Sequence, residues 1–140
     1  MNNKSLPQTI AAFLLVSASL FAVATPNIDE VTQNAGGIPY ASGGIGTESI
    51  DRLNVLAADF NLKLVFALKS GGYLSDVRVV IADAKGNTLL DATSEGPWFL
   101  AKLPAAAYRI TATSAGNSVM RQIVVGTARL TTVDFRWANE

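Results

Sequence analysis

Four aspartates stand where chemistry would need them. Asp76, Asp83, Asp91 and Asp134 fall at or near the ends of alternating apolar runs. Two such carboxylates can share acid and base roles, or supply oxygen ligands to calcium. The run Asp83-Ala-Lys-Gly-Asn87 lacks the alternating oxygen donors of a calcium loop, and Lys85 adds a repelling charge. The aspartates therefore read as solvated turn residues. Ser70, Ser75, Ser94 and Ser118 are potential nucleophiles, but the chain has no histidine to activate them and no cysteine. Their absence removes Ser-His-Asp and Cys-His chemistry, histidine bases and the usual zinc sites together. No catalytic residue, no metal site and no cofactor is expected, and the chain does not read as an enzyme.

Two groups of residues are candidates for binding. Ser42-Gly-Gly-Ile-Gly-Thr-Glu48 precedes a helical pattern, and glycines at a helix start can cradle an anion. The confirming context is missing, because no P-loop lysine follows and the Gly44, Gly46, Ser49 spacing departs from GxGxxG. A chain reversal that docks the helix is the simpler reading. Tyr40, Tyr73, Trp98 and Trp137 could form a stacking platform for a glycan. Trp137 falls on the inward register of its strand, whereas Trp98 is out of register with Phe99 and Leu103. The expected binding surface is Tyr40, Gly43, Gly44, Gly46 and Trp98.

Eleven basic residues balance eleven acidic ones. They are scattered singly, which argues against nucleic acid or an anionic membrane as partner. Met1–Ala24 reads as a signal peptide. Lys4 lies in a polar leader, Ile10 to Ala24 is almost wholly apolar, and Ala22-Val23-Ala24 has the small-x-small form of a cleavage site. That run is short of the roughly 20 apolar residues of a membrane span. The expectation is an exported protein, periplasmic or secreted, with no span in the mature chain. Without cysteine it has no disulfide, so burial alone must stabilise it.

Residues 25–46 read as a glycine-rich linker segment, with Ile38, Tyr40 and Ile45 as apolar anchors. Residues 47–140 read as one helix followed by a sandwich domain. Thr47 to Asp59 is the helix, with Thr47 as N-cap and Ile50, Leu53, Leu56, Ala57 and Phe60 in one stripe. Seven strands follow: Asn61–Leu68, Tyr73–Asp83, Thr88–Ala92, a pair within Gly96–Thr113, Ser118–Val125 and Arg129–Trp137. Turn signals at Lys69–Gly72, Lys85–Asn87 and Ala115–Asn117 separate them, with Gly86 free to take positive φ. Their spacing of about 8–12 residues indicates an all-β sandwich.

The stretch Gly96–Thr113 organises this pattern as strand, corner, strand. Phe99, Ala101 and Leu103 alternate inward, Pro104 ends the pairing, and Tyr108, Ile110 and Ala112 resume the inward face. The Tyr108 hydroxyl then needs a partner near Leu103–Ala106, as in the tyrosine corner of Greek-key sandwiches. Together with Gly71-Gly-Tyr-Leu-Ser-Asp-Val-Arg-Val-Val-Ile-Ala-Asp-Ala-Lys-Gly-Asn87, the run Leu103-Pro-Ala-Ala-Ala-Tyr-Arg-Ile-Thr-Ala112 resembles the carboxypeptidase regulatory-like domains. The resemblance covers Asn61–Trp137 and implies a non-catalytic sandwich of transthyretin-like topology. One departure is Ala107, where the family usually has glycine, so the turn must avoid positive φ there or be strained. The transthyretin-like hydrolases use histidines and a characteristic tail, which this chain lacks. Surface-adhesin sandwiches crosslink a first-strand lysine to a last-strand Asn or Asp, but Lys63 and Asp134 both alternate outward. The reading is a seven-stranded Greek-key sandwich (transthyretin-like/Ig-like) with one N-terminal helix, binding another protein or an envelope component. The alternative is a glycan-binding module using exposed aromatics.

Overall fold

The computed structural model describes residues 32–33 and 37–138. The leader expected at 1–24, and residues 25–31 and 34–36 of the segment expected to link it to the domain, lie outside the described residues. Two sheets face each other. The first has the order β1 (Thr32–Gln33), β2 (Pro39–Gly43), β6 (Trp98–Ala101), β3 (Leu62–Leu68), β9 (Thr131–Trp137). The second has the order β5 (Thr88–Ser94), β4 (Val77–Asp83), β7 (Ala106–Ser114), β8 (Asn117–Val125). All pairings are antiparallel except β3 with β9. The helix α1 (Thr47–Leu56) continues as a 3-10 turn over Ala57–Asp59.

The alternation of side chains builds the core. Leu62, Leu64 and Phe66 from β3, Phe99 and Ala101 from β6, and Phe135 and Trp137 from β9 face Val77, Val79, Ile81, Leu90, Ile110, Ala112 and Val125. Every one of these is buried. The period of two leaves Lys63 and Val65, or Arg109 and Thr111, on the opposite faces. Phe66, Phe135 and Trp137 pack as tilted or offset rings 5.8–6.4 Å apart. The outer face of the first sheet is covered instead by α1: Leu53 and Phe60 pack on Ala41 and Leu100, with Leu56, Ala57 and Trp98 at the margin. A helix this short depends on such a surface.

The structure differs from the expected seven strands. Pro39–Gly43 is an eighth strand, and Thr32–Gln33 a further two-residue one, within the segment read as a linker. In β2, half-buried Tyr40 stacks on Phe99 at 5.3 Å against the core while Ala41 faces the helix. Gly96 allows a close backbone approach to β2: a Cβ on it would lie 2.2 Å from the Gly43 carbonyl oxygen. Ile38 packs against the core as an anchor, but Ile45 does not. The N-cap is Gly46 rather than Thr47, with no side-chain cap. The strand read as starting at Tyr73 starts at Val77, because Asp76 takes φ 57 and breaks it.

The two strands of Gly96–Thr113 lie in opposite sheets, so the segment after Ala101 crosses the sandwich rather than closing a hairpin. Two side chains hold the crossing. Tyr108 is 4% exposed, and its hydroxyl donates to the Pro104 carbonyl, the upstream partner a tyrosine corner requires. Ala107 keeps negative φ. Asn61, buried at the start of β3, accepts from the Leu103 N–H at 2.9 Å and donates to the carbonyls of Leu103 at 2.6 Å and Gly126 at 3.1 Å.

These contacts predict graded losses in urea melts. Tyr108→Phe costs about 1–2 kcal/mol through the orphaned Pro104 carbonyl, and Tyr108→Ala about 3–5 kcal/mol because a cavity is added. An unchanged midpoint for Tyr108→Ala would contradict its place in the core. Asn61→Ala leaves the Leu103 N–H buried and unpaired and costs about 2–4 kcal/mol. A loss under 1 kcal/mol would show that solvent replaces the side chain.

Candidate functional site

The buried polar side chains show where the fold spends its hydrogen-bonding capacity. They are Ser42, Ser49, Asn61 and Ser94. Ser42 Oγ accepts from the Glu95 N–H at 3.0 Å, tying β2 to the loop before β6. Ser49 Oγ accepts from the Gly44 N–H at 2.8 Å, fixing the loop that enters α1. Ser94 Oγ donates to the Gly96 carbonyl at 2.7 Å. Each holds backbone. Among the described residues, no buried side-chain nitrogen or oxygen lacks a partner. No group of three or more Asp or Glu there could hold a metal ion.

The four aspartates are dispersed. The Asp83 carboxylate accepts from the backbone N–H groups of Lys85 and Asn87 at 2.9 Å each, organising the β4–β5 turn. Asp91 takes a bidentate pair from Arg78 across β4 and β5, at 3.0 and 2.6 Å. The Asn87 contacts hold the Asp83 carboxyl below its ordinary pKa, and the Arg78 guanidinium does the same for Asp91. Asp76 donates its backbone N–H to the Ser94 carbonyl. Asp134 projects from the outer face of β9, where its charge raises the Lys63 pKa against the larger lowering by burial. The Lys63 ammonium lies over the Trp98 ring, 3.4 Å from its centroid.

The five residues expected to form the binding surface are not assembled into one. Tyr40 is half-buried, stacked on Phe99 at the margin of the core. Gly43 and Gly44 are buried. Trp98 is half-buried, with Lys63 over its ring and Gly44 so near that a Cβ there would lie 3.1 Å from Trp98 Cγ. Of the five, Gly46 alone is exposed. Alternation cannot reveal this, because the outer face of β6 looks like a solvent face until a helix is placed on it. Trp137, the fourth aromatic considered, is buried and donates Nε1–H to the Asn117 carbonyl at 2.9 Å.

A different cluster does reach solvent. The loops 44–46 and 73–75 meet at Pro97 around a depression of about 320 Å³, lined by Gly44, Ile45, Gly46, Tyr73, Leu74, Ser75 and Pro97. Ile45 is 64% and Tyr73 70% exposed on its rim. Their loops are held from below: Leu74 is buried and its N–H donates to the Phe66 carbonyl, while Pro97 accepts from the Phe66 N–H at 2.9 Å. The start of α1 opens beside them. Apolar side chains at rest in water on loops fixed by a rigid sandwich are the usual composition of a contact surface. Ile45, expected as an anchor, stands outward, and nothing local distinguishes an inward from an outward isoleucine in a loop.

The pH dependence of stability follows from the shifted groups. Asp83 and Asp91 lie below their ordinary value of 3.8, so their contribution holds above it and is lost as pH falls through and below it. Burial, and secondarily the Asp83 charge, raises Tyr108 above 10.0, so its contribution holds below that value and is lost as pH rises past it. Lys63, lowered by burial, acts in the opposite sense on the alkaline side. With no histidine, the urea midpoint is flat between about pH 5 and pH 8. It falls under acid, and less steeply in Asp83→Asn. A sloping midpoint within that plateau contradicts this assignment.

No helix among the described residues is long and apolar enough to cross a membrane. No family model matches the chain, and no curated protein matches it either.

Proposed function

We propose that this chain is a non-catalytic, exported β-sandwich module that binds another protein or an envelope component through its loop end. The observation that carries the reading is the depression at 44–46, 73–75 and Pro97, with Ile45 and Tyr73 exposed side by side on its rim. The buried polar side chains support it, since all four are engaged in holding backbone. Export, to the periplasm or beyond, rests on the leader pattern of residues 1–24. A Greek-key, transthyretin-like topology is the finer reading of the fold. It is supported by the return of β6 to lie beside β3 after the β4–β5 hairpin, and by the resemblance of Asn61–Trp137 to carboxypeptidase regulatory-like domains.

A second reading, a glycan-binding module, is favoured by one residue. Tyr73 presents its ring to solvent at the depression, which suits stacking on a sugar. Trp98 is less suited, because its ring already carries the Lys63 ammonium.

Co-purification from an envelope extract under gentle crosslinking tests the first reading. Wild type is expected to retain a protein or envelope component that the double variant Ile45→Ser, Tyr73→Ala loses while keeping its urea midpoint. Recovery of nothing by wild type, or equal recovery by both, overturns it. Titration with cell-wall and storage glycans separates the second reading: saturable binding abolished by Tyr73→Ala alone would replace the first.

A further inference from the structure

β8 ends its sheet and runs nine residues in unbroken register against β7. It contains no proline and no bulge, two of the devices that blunt an edge, and its one charged residue is Arg121. The opposite end strand is different: β5 carries the Asp91 ion pair and a register shift in its pairing with β4.

The direction of the free backbone groups on β8 follows from its turn. Ala115 and Gly116 have φ 48 and 82, two positive values in succession, as in a type I′ turn. Ser114 and Asn117 then form the hydrogen-bonded pair that closes it. Bonded and open pairs alternate along an antiparallel ladder. Asn117, Val119, Arg121, Ile123 and Val125 therefore direct their N–H and C=O groups toward β7. Those of Ser118, Met120, Gln122 and Val124 point away from the sheet, and no strand among the described residues lies beside them. The side chains of the same four residues stand on the outer face, where Met120 is 58% and Val124 75% exposed.

We propose that β8 pairs antiparallel with β8 of a second copy of this chain, about a two-fold axis at Gln122, joining two four-stranded sheets into one. The strand is self-complementary in that register. Met120 faces Val124 of the second copy on both sides of the axis, and the two Gln122 amides face each other between them. On the other face Val119 meets Val125, and Arg121 meets Ile123. An axis at Arg121 would set arginine against arginine, a destabilising like-charge pair. An axis at Met120 would put Val124 against the turn glycine, Gly116. The outward backbone groups of Met120, Gln122 and Val124 all become bonded pairs about Gln122, as an isologous interface requires. This pairing is independent of the loop-end reading, since β8 contributes nothing to the depression beside Tyr73.

The absence of cysteine makes the test direct, because Gln122→Cys introduces the only thiol of the full chain. In the proposed register the two Cα atoms stand about 5.5 Å apart, within disulfide span. Mild oxidation is expected to convert Gln122→Cys to a covalent dimer well before Thr132→Cys, an exposed control on β9. Sedimentation of wild type is expected to show a reversible dimer, which Val124→Lys weakens about tenfold or more. Adding Met120→Glu to Val124→Lys restores it, because positions 120 and 124 face each other across the axis. Thermal melts by circular dichroism confirm that each variant is folded. A wild-type chain that stays monomeric, a Gln122→Cys thiol that crosslinks no faster than the control, or a failed rescue each overturns the proposal.

Discussion

The side chain of Asn61 is the joint on which the two-sheet arrangement depends. It sits where β3 begins, and its amide reaches two other parts of the chain at once. One is Leu103, just after the chain leaves the first sheet for the second; the other is Gly126, just after β8. Its own backbone joins the same knot, donating to the Ala101 carbonyl and accepting from the Thr131 N–H. A crossing segment cannot satisfy its N–H and C=O groups in a ladder, and burying them unpaired is costly. Asn61 and Tyr108 together meet that demand at the β6–β7 crossing. In a chain with no cysteine, such polar staples do part of what disulfides do in other sandwiches.

A second knot forms at the other end. There β2 passes so close to Gly96 that no side chain fits between the backbones. Ser42, Ser49 and Ser94 then fasten the loops that meet around it. This rigidity is what gives the depression beside Ile45 and Tyr73 a defined shape. A side chain carried on a loop is placed well only when the strands beneath it are fixed, and here Phe66 of β3 bonds to both Pro97 and Leu74. The helix contributes by covering the outer face of the first sheet. Among the described residues no helix packs on the second sheet, and no strand lies beside its edge at β8.

The long strands were legible because burial on one face imposes a period of two. Leu62, Leu64 and Phe66, or Phe135 and Trp137, carry that signal without help from any other segment. The Tyr108 corner was legible for a related reason: a buried tyrosine on an inward register must find an acceptor, and Pro104 lies within reach upstream. β2 was not legible, because Gly36, Gly37, Pro39, Gly43, Gly44 and Gly46 in and around it are residue types that mark loops. Tyr40 and Trp98 have the composition of a binding surface, but β2 packs one on Phe99, and the other lies beside the helix with Lys63 over its ring.

The sequence by itself determined the local quantities: which residues alternate, where turns interrupt them, which chemistries lack their residues, and that one tyrosine must be tied to the chain before it. Those follow from side-chain volume, polarity and backbone freedom acting over a few residues. Only the tertiary structure decided which sheet each strand joins, so that β6 and β7, adjacent in sequence, stand on opposite sides of the core. It also decided that Ile45 and Tyr73, far apart in the chain, share one rim, and that β8 is left at an edge. The physical reason is that pairing partners and exposure are properties of what else is packed nearby. A residue's own type says what it requires of its surroundings, and only the fold says which segments supply it.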